Sequence, residues 1–415
     1  MHWFTALFLS ALALSTATRL WLALRQLRHV GAHRDAVPPG FEERIPLSAH
    51  RKAADYTAAK TRVGMAETVV GALLVLAFTI GGGLQWLSDA GSRWLEPGGY
   101  AHGVALVVSV VVISSVVDLP FSAVRAFVIE QRFGFNRMTP ALFIADIARH
   151  AALSALLGIP LLLCVLWLMA RAGGAWWIYA WLTWVTFSLV VHFLYPTVFA
   201  RWFNKFSPLS DAGLKARIER LLAKCGFRVK GLFVMDGSKR SSHGNAYFTG
   251  FGAAKRIVLF DTLVSRLQPA EIEAVLAHEL GHYSLHHIWK RMALVFAGSL
   301  VTLWLLGWVA GQDWFYAGLG VRSPGTAVAL LLFFMAVPAF TFLLHPLASL
   351  YSRKHEYEAD AYAAEHADAA ELGRALVKLY EDNAATLTPD PLHSAFYDSH
   401  PPAVHRIARL QARGA

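Results

Sequence analysis

Long apolar runs alternate with shorter polar stretches along most of the chain. About 20 consecutive apolar residues cross a hydrocarbon core of roughly 30 Å. Seven windows of this kind occur, near residues 3–24, 65–87, 103–124, 152–171, 176–200, 292–311 and 326–350. The pattern therefore predicts seven membrane-spanning helices. Because basic residues follow the first window rather than precede it, we expect a retained span and not a cleaved signal peptide.

The distribution of basic residues predicts how these spans are oriented. With the N-terminus outside, segments 89–101, 172–175 and 312–325 are also outside, and they hold few Lys and Arg residues. The alternate segments hold nearly all the others, which is the pattern of cytoplasmic loops. We therefore expect an N-out, C-in arrangement, with polar parts 201–291 and 351–415 in the cytoplasm.

Composition supports a membrane protein and excludes other classes. Hydrophobic residues make up 56% of the 415 residues. Charged residues make up 16%, against the roughly 25% that is usual in soluble domains. The formal charge of +10 is spread over several segments without a nucleic-acid-binding motif, so we expect a lipid bilayer and no nucleic acid as partner. Only Cys164 and Cys225 occur, which argues against a disulfide framework or a thiolate metal site.

The cytoplasmic part 201–291 has a mixed pattern. Residues 231–235 predict a short strand, and 246–251 followed by 256–260 predict a hairpin across 252–255. Pro269 is then expected at the first turn of a helix that continues into span six.

This helix carries the motif His278-Glu279-Leu280-Gly281-His282. Residues four apart share a helical face, so both imidazoles can bind one metal ion. Glu279 is placed to take a proton from a metal-bound water, whose pKa zinc lowers to about 7. The alternative for the bare motif is an amphipathic helix with two surface histidines.

A catalytic zinc ion also needs a third protein ligand and one open position. His286 is one turn too far along the helix and is expected at the membrane edge. Because spans six and seven form a hairpin, the segment after span seven returns to the face that carries His278. There Glu356 and Asp360 share a helical face, with Glu356 as the third ligand and Asp360 accepting a hydrogen bond from a ligand histidine. The alternative is an exposed acidic helix.

Several further segments occur in an order that resembles one family. They are Ala53–Tyr56, Asp118–Phe121, Phe133–Asn136, Asn245–Phe248, Arg256–Leu263, the zinc helix, Glu356–Asp360 and Ser399–Pro402. From about residue 45 to 410 the chain resembles the integral-membrane CAAX prenyl proteases of type 1, which are gluzincin zinc metalloendopeptidases. The resemblance implies an α-helical polytopic membrane protein whose seven helices enclose a water-filled chamber, with a small α+β cytoplasmic metalloprotease domain.

The resemblance also implies roles for particular residues. It implies one zinc ion per chain, bound by His278, His282 and Glu356. Glu279 is then the general base, and Asp360 accepts a hydrogen bond from a ligand histidine. It implies that His400 and Arg406 support substrate or transition state and that Asn245 lies along the substrate strand. Physically, His400 can donate to an oxyanion, and the strand edge that begins at Asn245 can pair with an extended peptide.

Three polar residues lie inside predicted spans, where contact with lipid would be unfavourable. Asp118, His192 and His345 are therefore expected to face the interior, either bonding between helices or contacting substrate.

The predicted division of the chain has four parts. They are the membrane region 1–200, the zinc-peptidase domain 201–291, the span hairpin 292–350 and the C-terminal helical segment 351–415. We expect a membrane-embedded zinc endopeptidase that acts on peptides or membrane proteins. A transporter and a non-proteolytic zinc scaffold are the alternatives.

Residue usage suggests a bacterial inner-membrane protein with its active site toward the cytoplasm. The family cleaves after prenylated cysteines, but bacteria generally lack such targets. Prenylated and unmodified substrates therefore both stay open.

Overall fold

The computed structural model describes residues 2–249 and 255–414. Within them, seven helices are long and apolar enough to cross a membrane. Six of these spans contain α1 (Trp3–Ala32), α2 (Leu47–Phe78), α4 (Tyr100–Val124), α5 (Pro140–Arg171), α6 (Trp176–Leu194) and α11 (His287–Val309). The seventh begins with α13 (Thr326–Thr341) and continues to His366. The shorter or more polar helices are α3 (Gly83–Gly91), α7 (Ala200–Phe203), α8 (Ala212–Lys224), α9 (Asp261–Arg266), α10 (Pro269–Ser284), α12 (Asp313–Gly318), α14 (His345–His366), α15 (Ala369–Asp382), α16 (Pro391–Tyr397) and α17 (Ala403–Gly414).

The predicted number of spans is confirmed, whereas several predicted boundaries are wrong. Helix α1 continues to Ala32, and α2 begins at Leu47 and ends at Phe78, well before residue 87. A glycine run ends α2, because Gly82 has φ +75°, in the left-handed region that glycine adopts without strain. The window near 65–87 thus contains a helix end, a tight turn and most of α3.

The polar parts 201–291 and 351–415 are together called the polar domain. A four-stranded sheet forms part of it. Its strands are β1 (Phe206–Pro208), β2 (Gly231–Met235), β3 (Ala246–Thr249) and β4 (Arg256–Phe260), in the spatial order β1-β2-β4-β3. The predicted strand at 231–235 and the antiparallel pairing of the predicted hairpin are confirmed. The predicted turn falls largely on residues 250–254, which lie outside the described residues. Strand β3 lies at one edge of the sheet, so its outer side is available for a further strand.

Helix α10 lies in the hydrophobic core of this polar domain. Its Leu276, Ala277 and Leu280 are fully buried, in one cluster with Ile257 of β4 and Ala363 of α14. Burial of this face fixes the direction in which the opposite residues of α10 point. The core therefore holds α10 between the sheet and the C-terminal helices.

The predicted continuation of α10 into span six is wrong. The helix ends at Ser284, and α11 begins at His287. Between them, the exposed His286 has φ 60° and ψ 29°, a left-handed conformation that is uncommon for a residue other than glycine. Such a residue cannot continue a right-handed helix, so the chain changes direction immediately after the zinc motif.

Ion pairs tie the membrane helices to the polar domain. Arg240 contacts Asp146 of α5 with Nε 2.7 Å from Oδ2, and it also donates to Asn204. Arg25 of α1 pairs with the buried Asp390, with Nη2 2.9 Å from Oδ2. These contacts fix the position of the polar domain relative to the spans.

Candidate metal centre

The start of α10 is fixed by its own sequence. Pro269 occupies the first turn, and the backbone N–H of Gln268 donates to the Glu271 carboxylate at 2.7 Å, forming a capping box. Glu271 is buried, and its charge is balanced by Lys378 of α15 at 2.7 Å. The helix therefore begins at a defined residue, which sets the rotation of the zinc motif around its axis.

Gly281 lets α10 and α14 approach closely. A Cβ atom added at Gly281 would lie 3.0 Å from both Ala359 Cα and Tyr362 Cβ. Few real Cβ contacts are that short, so a larger residue would push the helices apart. The glycine inside the motif therefore has a packing function, which the sequence alone did not reveal.

The predicted ligands from the two helices converge. The Nε2 atom of His278 lies 3.5 Å from Glu356 Oε2, and the Nε2 atom of His282 lies 3.3 Å from Glu356 Oε1. One ligand atom from each residue lies within 4.8 Å of the others, and His278 and Glu356 are buried. Glu356 is therefore not part of an exposed acidic helix.

This donor set fits zinc. Ligand atoms about 2.0–2.1 Å from a tetrahedral ion lie roughly 3.3 Å from one another, close to the separations seen here. Two imidazole nitrogens and one carboxylate oxygen are also the donor types of catalytic zinc sites that keep one position open. Both the spacing and the chemistry of the residues thus suit the ion that the sequence predicted.

Asp360 and Arg406 lie behind His278. Asp360 Oδ1 is 2.9 Å from His278 Nδ1, so His278 can donate to the carboxylate while its Nε2 faces the site. Arg406 donates to both oxygens of Asp360, at 2.9 Å from Nε and 2.6 Å from Nη2. Asp360 and Arg406 are each 5% exposed, and this buried ion pair links α14 to α17.

The electrostatics of the site favour a cation. Burial disfavours the charged form of His278, but hydrogen bonds to Asp360 and Glu356 outweigh it and raise the pKa of this imidazole to about 9. Burial also opposes the charge of Arg406, yet Asp360 holds the pKa of that guanidinium above its usual value. The two carboxylates therefore favour positive charge at this position, which a divalent ion can supply.

The other predicted residues lie at different distances from this centre. His400 is largely exposed and lies beside the ligands, with Nδ1 2.6 Å from Glu356 Oε2. Glu279 is half-buried next to His278 on α10. Asn245 is exposed just before β3, where its Oδ1 accepts from the N–H of Ala246 at 2.8 Å.

The polar residues within the spans do not join the metal centre. Asp118 lines a cavity of about 260 Å³ between α2 and α4. His192 lies at the end of α6. His345 begins α14, eleven residues before Glu356, which corresponds to roughly 16 Å along a helix.

Sequence reasoning missed a second group of side chains beside the centre. His287, His355 and Glu358 lie together, and His287 also contacts His282. The sequence spacing of these residues did not indicate the group, because the position of His287 depends on the break between α10 and α11.

Comparisons with known proteins agree with this architecture. Residues 26–205 match the CAAX prenyl protease N-terminal family, described as five membrane helices, and residues 208–414 match peptidase family M48. A CAAX prenyl protease 1 homolog from Arabidopsis thaliana is 38% identical over 312 residues, which are 74% of this chain and 73% of the relative. The Caenorhabditis elegans homolog is 31% identical, with 98% of both chains covered.

A solved structure has the same fold over nearly the whole length. The crystal structure of S. mikatae Ste24p superposes with a TM-score of 0.92 and 29% identity, covering 98% of this chain and 99% of that one. The two family matches, together with these relatives, show the family. The chain belongs to peptidase family M48, with the membrane helices of the CAAX prenyl proteases, and it is a multi-pass membrane metalloprotease.

Proposed function

We propose that His278, His282 and Glu356 hold one zinc ion per chain and that Glu279 acts as the general base of peptide-bond hydrolysis. The observation that carries this proposal is the convergence of two imidazole nitrogens from α10 with one carboxylate from α14, and Glu279 follows His278 on α10. A zinc ion held by these residues would supply an activated water, with a pKa of about 7, and a Lewis acid for the scissile carbonyl.

The residues around these ligands have separate roles in proton transfer, stabilisation of negative charge and positioning. Glu279 takes a proton from the attacking water and passes it to the leaving amine nitrogen. His400, largely exposed beside Glu356, donates to the oxygen on which negative charge develops. Arg406 is buried against Asp360, so it acts as a positioning residue that orients His278 through that carboxylate.

The edge strand β3 supports a binding mode for the substrate. A peptide in extended conformation adds to this edge beside Asn245, and the backbone hydrogen bonds set its register. Strand β3 packs on α10, so a peptide added there passes close to the zinc motif. We propose that the substrates are extended segments of membrane-associated polypeptides that enter through a chamber between the spans.

The substrate class can be tested with one peptide in two forms. Several relatives are named CAAX prenyl protease 1, so a prenylated peptide ending in Cys-aliphatic-aliphatic-X is the first candidate. The same peptide without the lipid is its matched control. Equal kcat/KM for both forms would favour unmodified peptides, whereas a strong preference for the lipidated form would favour the activity in those names.

We also propose a cytoplasmic active site in a bacterial inner membrane. The basic segments on the side of α10 support this orientation. Single cysteines at the exposed Arg93 and Arg322 should react with an impermeant reagent added outside, and one at the exposed Lys239, beside Arg240, should not. The reversed pattern would move the active site to the other face.

Metal removal tests the proposed chemistry in the purified wild-type protein. Dialysis against a chelator should abolish cleavage of a quenched fluorescent peptide, and one equivalent of zinc should restore it. A transporter or a non-proteolytic scaffold would cleave nothing in either state. Cleavage that persists in protein shown to be free of metal would exclude zinc as the cofactor.

A further inference from the structure

The break between α10 and α11 places a third histidine directly behind a zinc ligand. His287 is 1% exposed, and its Nδ1 lies 3.0 Å from the Nδ1 of His282. On its other side, its Nε2 lies 2.9 Å from Glu358 Oε2. A continuous row of hydrogen-bonding atoms thus runs from His282 through one imidazole to a carboxylate on α14.

The protons in this row can be assigned if His282 binds metal. His282 presents Nε2 to Glu356, so the proton of the neutral ring is on Nδ1. The Nδ1 atom of His287 must then accept this hydrogen bond, because two N–H groups cannot face each other at 3.0 Å. The proton of His287 is consequently on Nε2, where it is donated to Glu358.

We infer that His287 and Glu358 form a relay that fixes the tautomer and ring orientation of His282. This inference rests on the zinc site proposed above. Both residues are positioning residues, since they act on the metal through His282. A carboxylate behind a ligand histidine makes the imidazole a better donor, and here the effect is transmitted through a second imidazole.

His355 holds the relay in place. Its ring stacks on that of His287 with centroids 4.0 Å apart and an interplanar angle of 8°, and it is 2% exposed. Lys354 lies 3.9 Å from Glu358 on the solvent side. The central imidazole therefore cannot turn without displacing a buried aromatic neighbour.

The same three residues could be read as a second metal site. Their ligand atoms lie close enough together, and among the described residues the buried Nδ1 of His355 has no hydrogen-bond partner. The proton assignment argues against this alternative, because a protonated Nε2 on His287 has no lone pair to offer a cation. The two interpretations therefore differ in the number of zinc ions bound.

Zinc affinity separates the relay from simple packing. We would measure zinc stoichiometry and dissociation constants by competition with a chromophoric chelator, using the full-length protein in detergent. His287→Leu fills the space without an acceptor and should weaken zinc binding about 10–100-fold. His287→Asn places an amide oxygen near the former Nδ1 and should recover much of that loss. Glu358→Gln should weaken binding less than His287→Leu.

The chain offers matched controls. His286→Gly changes the neighbouring residue and keeps the left-handed turn, so zinc affinity should stay at the wild-type value. Glu365→Gln removes an exposed carboxylate from the same helix as Glu358 and should also have no effect.

Each outcome has a distinct meaning. Wild-type affinity in His287→Leu would overturn the relay, and so would equal losses in His287→Leu and His287→Asn, which would indicate packing alone. Two zinc ions in the wild type, with one lost in Glu358→Gln, would establish a second metal site instead. A wild type that binds no zinc would contradict the proposed function itself.

Discussion

The two histidines proposed to bind zinc, His278 and His282, have different partners on the side away from the proposed metal. His278 contacts a carboxylate directly, and that carboxylate, Asp360, is buried in an ion pair with Arg406. His282 contacts the imidazole of His287, and the carboxylate at the end of that row, Glu358, has a side chain that is 36% exposed. Each ring is thus held with Nε2 toward Glu356, His278 by a buried carboxylate and His282 by a row of groups that ends near solvent.

This difference determines how sensitive each side should be to substitution. A buried charge that loses its partner is strongly unfavourable, whereas a partly exposed one is solvated by water. Asp360 should therefore matter both for zinc binding and for the stability of the fold, while Glu358 should matter mainly for zinc binding. The two sides are joined by Glu356, which lies within 3.5 Å of both histidines.

Removal of the shared ligand should have the largest effect. Glu356→Ala takes away the only carboxylate that faces both histidines among the described residues, so purified protein should contain no stoichiometric zinc. Elemental analysis measures this directly, with Glu365→Ala on the same helix as control. Full occupancy in Glu356→Ala would show that another residue, such as Glu358, is the third ligand.

Asp360→Asn should have the next largest effect and should exceed that of Glu358→Gln. Zinc affinity should fall toward the 100-fold end of the usual 10–100-fold range, with activity partly restored by added zinc. Arg406 then keeps only the more distant Glu356 carboxylate, 3.7 Å from its Nη1, so the metal-free protein should also lose up to about 3–5 kcal/mol of stability, measured as a lower Tm.

The double variant Asp360→Asn/Arg406→Met separates these two effects. It should recover stability because the buried charge is gone, but it should not recover zinc affinity. Equal zinc affinities in Asp360→Asn and Glu358→Gln would show that the two sides of the site are equivalent.

A smaller effect on stability and zinc affinity is expected from Gly281→Ala, because this change affects the positions of both His278 and His282. The added methyl group meets Ala359 and Tyr362, so α10 and α14 must separate by a few tenths of an ångström. Overpacking of this kind costs about 1–3 kcal/mol and should weaken zinc binding modestly. Gly298→Ala in α11 meets no neighbour within 4 Å and is the matched control. Unchanged Tm and zinc affinity in Gly281→Ala would mean that the helices can adjust freely.

The sequence predicted the seven spans and the convergence of the ligands for clear physical reasons. Apolar windows mark the parts of helices that lie in hydrocarbon, and residues four apart share a helical face. The ends of the helices could not be predicted in the same way, because helices such as α1 continue beyond the apolar window into polar sequence. The α2 end at a glycine run shows that a window can also include a turn.

The relay could not be predicted, because its spacing is wrong for a continuous helix. At about 100° per residue, His287 would lie roughly 140° around the helix from His282. The left-handed conformation of His286 brings the rings of His282 and His287 together. The sequence has no Gly or Pro at that position that would predict a helix break. The packing role of Gly281 was likewise invisible, since it depends on which residues of α14 lie opposite.

Replacement of the proposed general base is the most direct test of the zinc endopeptidase. Glu279→Gln keeps the size of the side chain and removes its ability to accept a proton. Zinc content and KM for a peptide should therefore remain near wild type, while kcat falls about 10²–10⁴-fold. Measurement of all three quantities on one preparation distinguishes lost chemistry from lost metal. Hydrolysis at the wild-type rate by zinc-loaded Glu279→Gln would contradict the assignment of Glu279 as the base.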